Sequence, residues 1–132
     1  MNGNYGFNQY KTLKVKTAGR GEILILLYES AIQNVKKASA AIEKKDIALK
    51  SQSIGKTHDI INELLNTLDF EVGGTIATEL EKLYNFIVEQ LIKSNLENKP
   101  EPLIAVTAIL EKLLSGWKVA IEKFGKENAG AP

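Results

Sequence analysis

His58 is the only histidine of the chain, and it stands among apolar residues at helical spacing. An imidazole in that setting can carry a phosphoryl group, move a proton or hold a metal. Each of those chemistries needs neighbours. A phosphoryl-carrying helical histidine is usually followed by Lys three residues on and Gly four on; Ile61 and Asn62 stand there instead. A di-iron site in a bundle of helices needs Glu-x-x-His pairs. Gly55 occupies the position three before His58, and one histidine cannot make two pairs. The expected place for this imidazole is the boundary between core and solvent. A histidine phosphotransfer bundle using His58 stays open as an alternative.

Gly55-Lys56-Thr57 has the ending of a phosphate-binding loop. That loop needs a glycine where Lys50 stands, and a strand ahead of it. In mid-helix the backbone N–H groups are already committed to the helix. Cysteine is absent, which removes disulfides, zinc–thiolate sites, iron–sulfur clusters and thiol catalysis together. No acid falls on the apolar stripes, and no nucleophile has a base in register with it. The chain is expected not to be an enzyme, and to need no cofactor and no metal.

Charge narrows the partners. Seventeen basic residues face sixteen acidic ones, for a net charge of +1. Arg20 is the only basic residue that is not lysine. Nucleic-acid binding relies on many cations gathered on one surface, and often on arginine, so it is not expected. The longest apolar run, Ile23 to Tyr28, is far short of the ~20 residues that span a bilayer. The Asn- and Gly-rich start, Met1 to Tyr10, has no apolar core of a signal peptide. A cytoplasmic protein with no direct membrane insertion is expected.

The elements that would position any site follow from the punctuation. Between the Gly and Pro breaks, apolar residues recur every three or four positions. The spacing predicts a first helix from about Glu22 to Lys44, with Leu24, Leu27, Tyr28, Ala31, Val35, Ala38 and Ile42 inward. Asp46 suits the cap of a second, carrying Ile47, Ile54, Ile61, Leu65 and Leu68. Asp69 is read as its end. A third is expected from about Thr75, after a positive-φ stop at Gly73-Gly74, with Ile76, Leu80, Leu83, Tyr84, Ile87 and Leu91 inward. A fourth starts near Pro102 and carries Val106, Leu110, Leu113, Leu114, Trp117, Ile121 and Phe124. Short connections force neighbours to run antiparallel. The expected fold is all-α: an up-down four-helix bundle over residues 22–124, with an N-terminal arm over 1–21 and a disordered tail over 125–132. The arm carries Tyr10, Leu13 and Val15 among Lys11, Lys14, Lys16 and Arg20. It is either a flexible, solvated segment or one that docks in a groove of the bundle.

A single inward stripe does not use every large hydrophobe. Leu49 and Ile60 sit away from the second helix's stripe, and Leu64 lies between its two faces. Phe86 and Ile92 flank the third, Ile104 and Val119 the fourth, Ile25 and Leu26 the first. Scattered surface hydrophobes are normal. The same residues could also form grooves for an amphipathic partner. A client-free structural bundle remains the plain alternative.

Three segments carry a family resemblance. The first is Tyr10-x4-Val15-x-Thr17-Ala18, followed by Ile23-Leu24-Ile25-Leu26-Leu27-Tyr28-Glu29-x-Ala31-Ile32. The second is Leu68-Asp69-x-Glu71-x-Gly73-Gly74-x-Ile76-Ala77, then Leu80-x2-Leu83-Tyr84. The third is Leu110-x2-Leu113-x3-Trp117. In this order and spacing they resemble the flagellin export chaperones of bacteria, the FliS family, over about Tyr10 to Glu122. The resemblance implies a cytoplasmic bundle that binds the disordered C-terminal segment of flagellin. It implies that the segment is kept from premature polymerisation and held for the flagellar type III export apparatus. It also implies contact with the cytoplasmic part of an export-gate membrane protein, and in some members with regulatory proteins. Tyr10, Leu13, Val15, Leu49, Ile60, Leu64, Phe86, Ile92 and Ile104 are the partner-binding candidates. One departure stands out: Gly19-Arg20-Gly21 replaces the Ser-Pro or Asp-Pro with which the family often opens its first helix.

Overall fold

The computed structural model describes the backbone of residues 19–129 and the side chains of residues 19–123. Tyr10, Leu13 and Val15 lie outside the described residues. Among the described residues four helices follow one another: α1 (Arg20–Glu43), α2 (Ile47–Asn66), α3 (Phe70–Glu97) and α4 (Glu101–Ala129). No strand occurs among the described residues. Each helix packs on the next, and α4 closes the ring on α1. Three-residue connections turn the chain back each time, giving the antiparallel up-down bundle.

The core is built from the expected stripes. Tyr28, Val35, Ile61, Ile87, Leu91, Leu103, Val106 and Leu110 are fully buried along its length. Leu64 belongs with them. Expected between two faces as a partner contact, it is 1% exposed, because it follows Ile61 by one short turn and falls on the same stripe. Two other expectations fail in the opposite direction. Ile47 and Ile76, placed inward by periodicity, are 65% and 68% exposed. Ile47 is the first residue of its helix, and Ile76 lies just past a kink, so neither has a neighbour over it.

The boundaries also differ from the sequence reading. α1 begins at Arg20, and Gly21 is a packing residue rather than part of an arm: a Cβ there would sit 2.9 Å from the Ile121 side chain of α4. Gly19 caps α1 without any side-chain hydrogen bond, consistent with the missing Ser-Pro start. α2 stops at Asn66, and Asp69 opens α3 rather than ending α2. The Asp69 carboxylate accepts from the N–H groups of Glu71 and Val72, both at 3.0 Å. One turn of helix therefore precedes the glycine pair. Gly74 has the expected positive φ, at φ 51 and ψ −124, but as a kink inside α3 rather than a stop before it. α4 runs on to Ala129, past the expected end at Phe124; Lys126, Glu127 and Ala129 are good helix formers.

Candidate functional site

The two ends of the bundle are built differently. At one end Lys50, on the inner stripe of α2, is only 6% exposed. Its Nζ donates to the Asn95 carbonyl at 3.2 Å and to Asn98 Oδ1 at 3.1 Å. A cation is favoured there, since the last carbonyls of α3 carry the negative end of the helix dipole. Asn98 closes α3 in the left-handed conformation, with φ 56. Ser94 donates to the Lys99 carbonyl at 2.6 Å and ties down the turn into α4.

At the other end the helices leave a cavity of about 460 Å³. Leu24 of α1, Leu68 after α2, Leu80 of α3 and Trp117 of α4 supply apolar walls. Arg20 and Asp69 stand in the lining too. The kinked turn of α3 forms one side through Val72 and Gly73, while Phe70, Val72 and Ile76 expose large apolar surfaces around it. Beside this cavity lies a buried polar group. The hydroxyls of Tyr28 and Tyr84 are 2.5 Å apart, with ring centroids at 6.5 Å and ring planes at 50°. Burial pushes both phenols above their usual pKa of 10.0. The hydrogen bond from Tyr84 and the Trp117 indole hold the rise at Tyr28 back in part. The charge Tyr28 would carry adds to the rise at Tyr84. The Trp117 Nε1 atom is itself buried, with the Tyr28 hydroxyl as its polar neighbour.

The proposed partner-binding side chains are dispersed. Leu49, Phe86, Ile92 and Ile104 are exposed, Ile104 at 65%. Ile60 is half-buried and packs on the edge of the core. By helical rotation Leu49 and Ile60 share one face of α2, about 20° apart, whereas Phe86 and Ile92 are about 120° apart on α3. No single groove collects all of them. Sequence reasoning missed three groups. Leu96 is exposed one turn beyond Ile92, on the same face of α3. Phe70 and Val72 lie ahead of the expected start of α3 at Thr75, and Ile76 was placed on its inward stripe. Lys50 was readable, since it stands four residues before Ile54 on the inner stripe.

Thr57 is buried and donates to the Ser53 carbonyl at 2.9 Å, so Gly55-Lys56-Thr57 is plain helix. His58 is half-buried at the edge of α2's stripe. No group of three His, Asp or Glu side chains that could hold a metal occurs among the described residues. Among the described residues no helix is long and apolar enough to cross a membrane.

The family model described as "Flagellar protein FliS" matches residues 3–124. The chain belongs to the FliS family. Similar proteins include the flagellar secretion chaperone FliS of Vibrio cholerae, 34% identical over 104 residues, or 79% of this chain and 76% of that one. The flagellar secretion chaperone FliS of Campylobacter jejuni is 30% identical over 118 residues, covering 89% of this chain and 92% of its own. A solved structure titled as a flagellar chaperone from bacteria has the same fold, with a TM-score of 0.75 over 90% of this chain and 97% of that one, at 19% identity. FliS is a family of flagellar secretion chaperones, and this member exposes large hydrophobes on α2, α3 and α4.

Proposed function

We propose that this FliS protein is a cytoplasmic export chaperone that binds the disordered C-terminal segment of flagellin. It keeps that segment from polymerising early and delivers it to the flagellar type III export apparatus. There it meets the cytoplasmic part of an export-gate membrane protein, and regulatory proteins are further partners. One observation carries the reading: a FliS match over residues 3–124 on a bundle that exposes large hydrophobes on three helices.

The physics of such a client suits this surface. Ordering a disordered segment costs entropy, so affinity has to come from many apolar contacts along a long path. Leu49 on α2, Phe86, Ile92 and Leu96 on α3, and Ile104 on α4 are exposed. A wrapped client touches several faces, whereas a single bound helix touches one. The test mixes the purified chain with full-length flagellin and with flagellin lacking its C-terminal segment, and follows the complex by gel filtration and calorimetry. A complex with the full-length protein alone is expected. Binding to neither, or equally to both, overturns the reading.

A further inference from the structure

Periodicity and structure disagree over one stretch of α3. Val72, Ile76 and Leu80 follow one another at four-residue spacing, which in a continuous helix puts all three on one side. That side continues the buried stripe of Tyr84, Ile87 and Leu91. Leu80 is buried, but Val72 and Ile76 are 87% and 68% exposed. The cause is confined to one residue. Inside α3 only Gly74 leaves helical geometry, at φ 51 and ψ −124. The turn before it is already helix: the Gly73 N–H donates to the Asp69 carbonyl at 2.7 Å, and the Asp69 carboxylate accepts from Glu71 and Val72. Glycine adopts helical φ as readily as positive φ. Rotation at Gly74 alone therefore turns the kinked α3 into a straight one. Gly73 belongs to the kink as well. A Cβ there would lie 2.9 Å from the Ala77 Cβ. In a regular helix the Cβ atoms of residues four apart stand ~5–6 Å from each other, so the bare position is needed only while α3 is bent. Room for straightening is present: the cavity of about 460 Å³ is walled by Leu24, Leu68, Leu80 and Trp117, with Val72 and Ile76 in its lining.

We propose that α3 is a two-state element hinged at Gly74: the kinked form described above holds the cavity open, and a straight form closes it with the side chains of Val72 and Ile76. The occupant is part of the chain itself, chosen by its four-residue register with Leu80. Burial of the two side chains against Leu24 and Trp117 drives closing. The kinked form uncovers the same side chains together with the cavity walls, so any partner that binds this apolar surface shifts the balance toward it. The hinge gives the open end of the bundle a way to hide its apolar surface when nothing is bound. It does so without unfolding the first turn, whose Asp69 cap moves with it.

The test uses the chain alone and so stands apart from the client reading. Methyl-labelled valine and isoleucine are followed by NMR, with the ring protons of Trp117, the one tryptophan, as the reporter of the cavity. In wild-type protein, exchange on the microsecond-to-millisecond scale is expected at Val72, Ile76 and Trp117, with contacts between the Val72 methyl groups and the indole ring. Gly73→Ala and Gly74→Ala should each shift the balance toward the straight form at least about fivefold, the ordinary preference of a helix for alanine over glycine. The methyl–ring contacts should strengthen, and the Val72 and Ile76 methyl groups should become protected from a soluble paramagnetic probe. Ile76→Asp places a charge that an apolar cavity does not accept, so exchange at Val72 and Trp117 should vanish while the bundle stays folded. Wild-type protein with no exchange and no Val72 contact to the ring overturns the proposal, whether or not the alanine variants fold. So do alanine variants that fold with both side chains still open to the probe, and Ile76→Asp protein that keeps the wild-type exchange.

Discussion

The end of the bundle around Lys50 and the end around Trp117 solve the same problem in opposite ways. Both must close four helices where the core runs out. The first fills the gap with a buried cation that hydrogen-bonds the last turn of α3, a left-handed Asn98 and a tied turn. The second leaves a cavity, a kink at Gly74 and an uncapped α1. The contrast teaches where each end spends its interactions. One end completes its polar bonds within the chain, so its stability is intrinsic. The other leaves apolar surface uncovered, which is the state expected of a surface awaiting a partner.

The largest effect should come from the closed end. Lys50→Ala removes two hydrogen bonds from a charged donor and uncovers the end of α3, and should cost about 3 kcal/mol in urea unfolding. Flagellin affinity per folded molecule should not change. A variant that keeps its stability, or that loses binding while still folded, breaks the assignment of this end to structure alone.

Gly74→Ala should cost less, about 2 kcal/mol, because the penalty is purely conformational. No atom lies within 4 Å of the new Cβ, but φ 51 with ψ −124 is poorly accessible to alanine. The relief route is to straighten α3, which moves Val72 and Gly73 at the cavity wall. Binding should therefore change along with stability. If stability falls and binding does not, the kink belongs to folding only.

What the sequence showed depended on how local the cause was. The four helices, the Tyr28–Val35 and Ile87–Leu91 stripes and the boundary place of His58 follow from period and composition. Leu64 was misplaced because one wheel position separates a core contact from a flank, and only the neighbouring helices decide which it is. The start of α3 was misplaced because Gly73-Gly74 looks like punctuation, while Asp69 supplies a cap five residues earlier than Gly74. That error hid Phe70 and Val72 as surface hydrophobes. The cavity and the Trp117 donor arise from side chains of separate helices, and no local pattern carries them.

A smaller effect tests whether the client lies on both flanks of α3. Phe86→Asp and Ile92→Asp change exposed side chains, so each should alter stability by no more than about 0.5 kcal/mol. Each should weaken flagellin binding about tenfold, close to 1.4 kcal/mol, since a charge against an apolar client loses hydration and contact. Ile60 is a poorer probe, because its packing on the core mixes stability into the result. Loss of binding in only one variant would confine the client to one flank.

The smallest effect at neutral pH is the titration of the tyrosine pair. Burial raises both hydroxyls above 10.0 in the folded protein, so folding favours the protonated phenols. The unfolded chain releases those protons near pH 10 and the folded chain holds them longer. Stability from the pair is therefore complete below pH 10 and is lost as pH rises from there toward the folded values. Unfolding free energy should be flat between pH 7 and about 9 as far as this pair is concerned, then fall by up to about 1.4 kcal/mol per pH unit for each phenol that remains protonated in the fold. Tyr84→Phe should roughly halve that slope. Bound flagellin should leave the slope in place if the segment stays clear of the pair, and should change it if the segment bonds a phenol. The pH profile of the complex thus shows how far into the open end the partner penetrates.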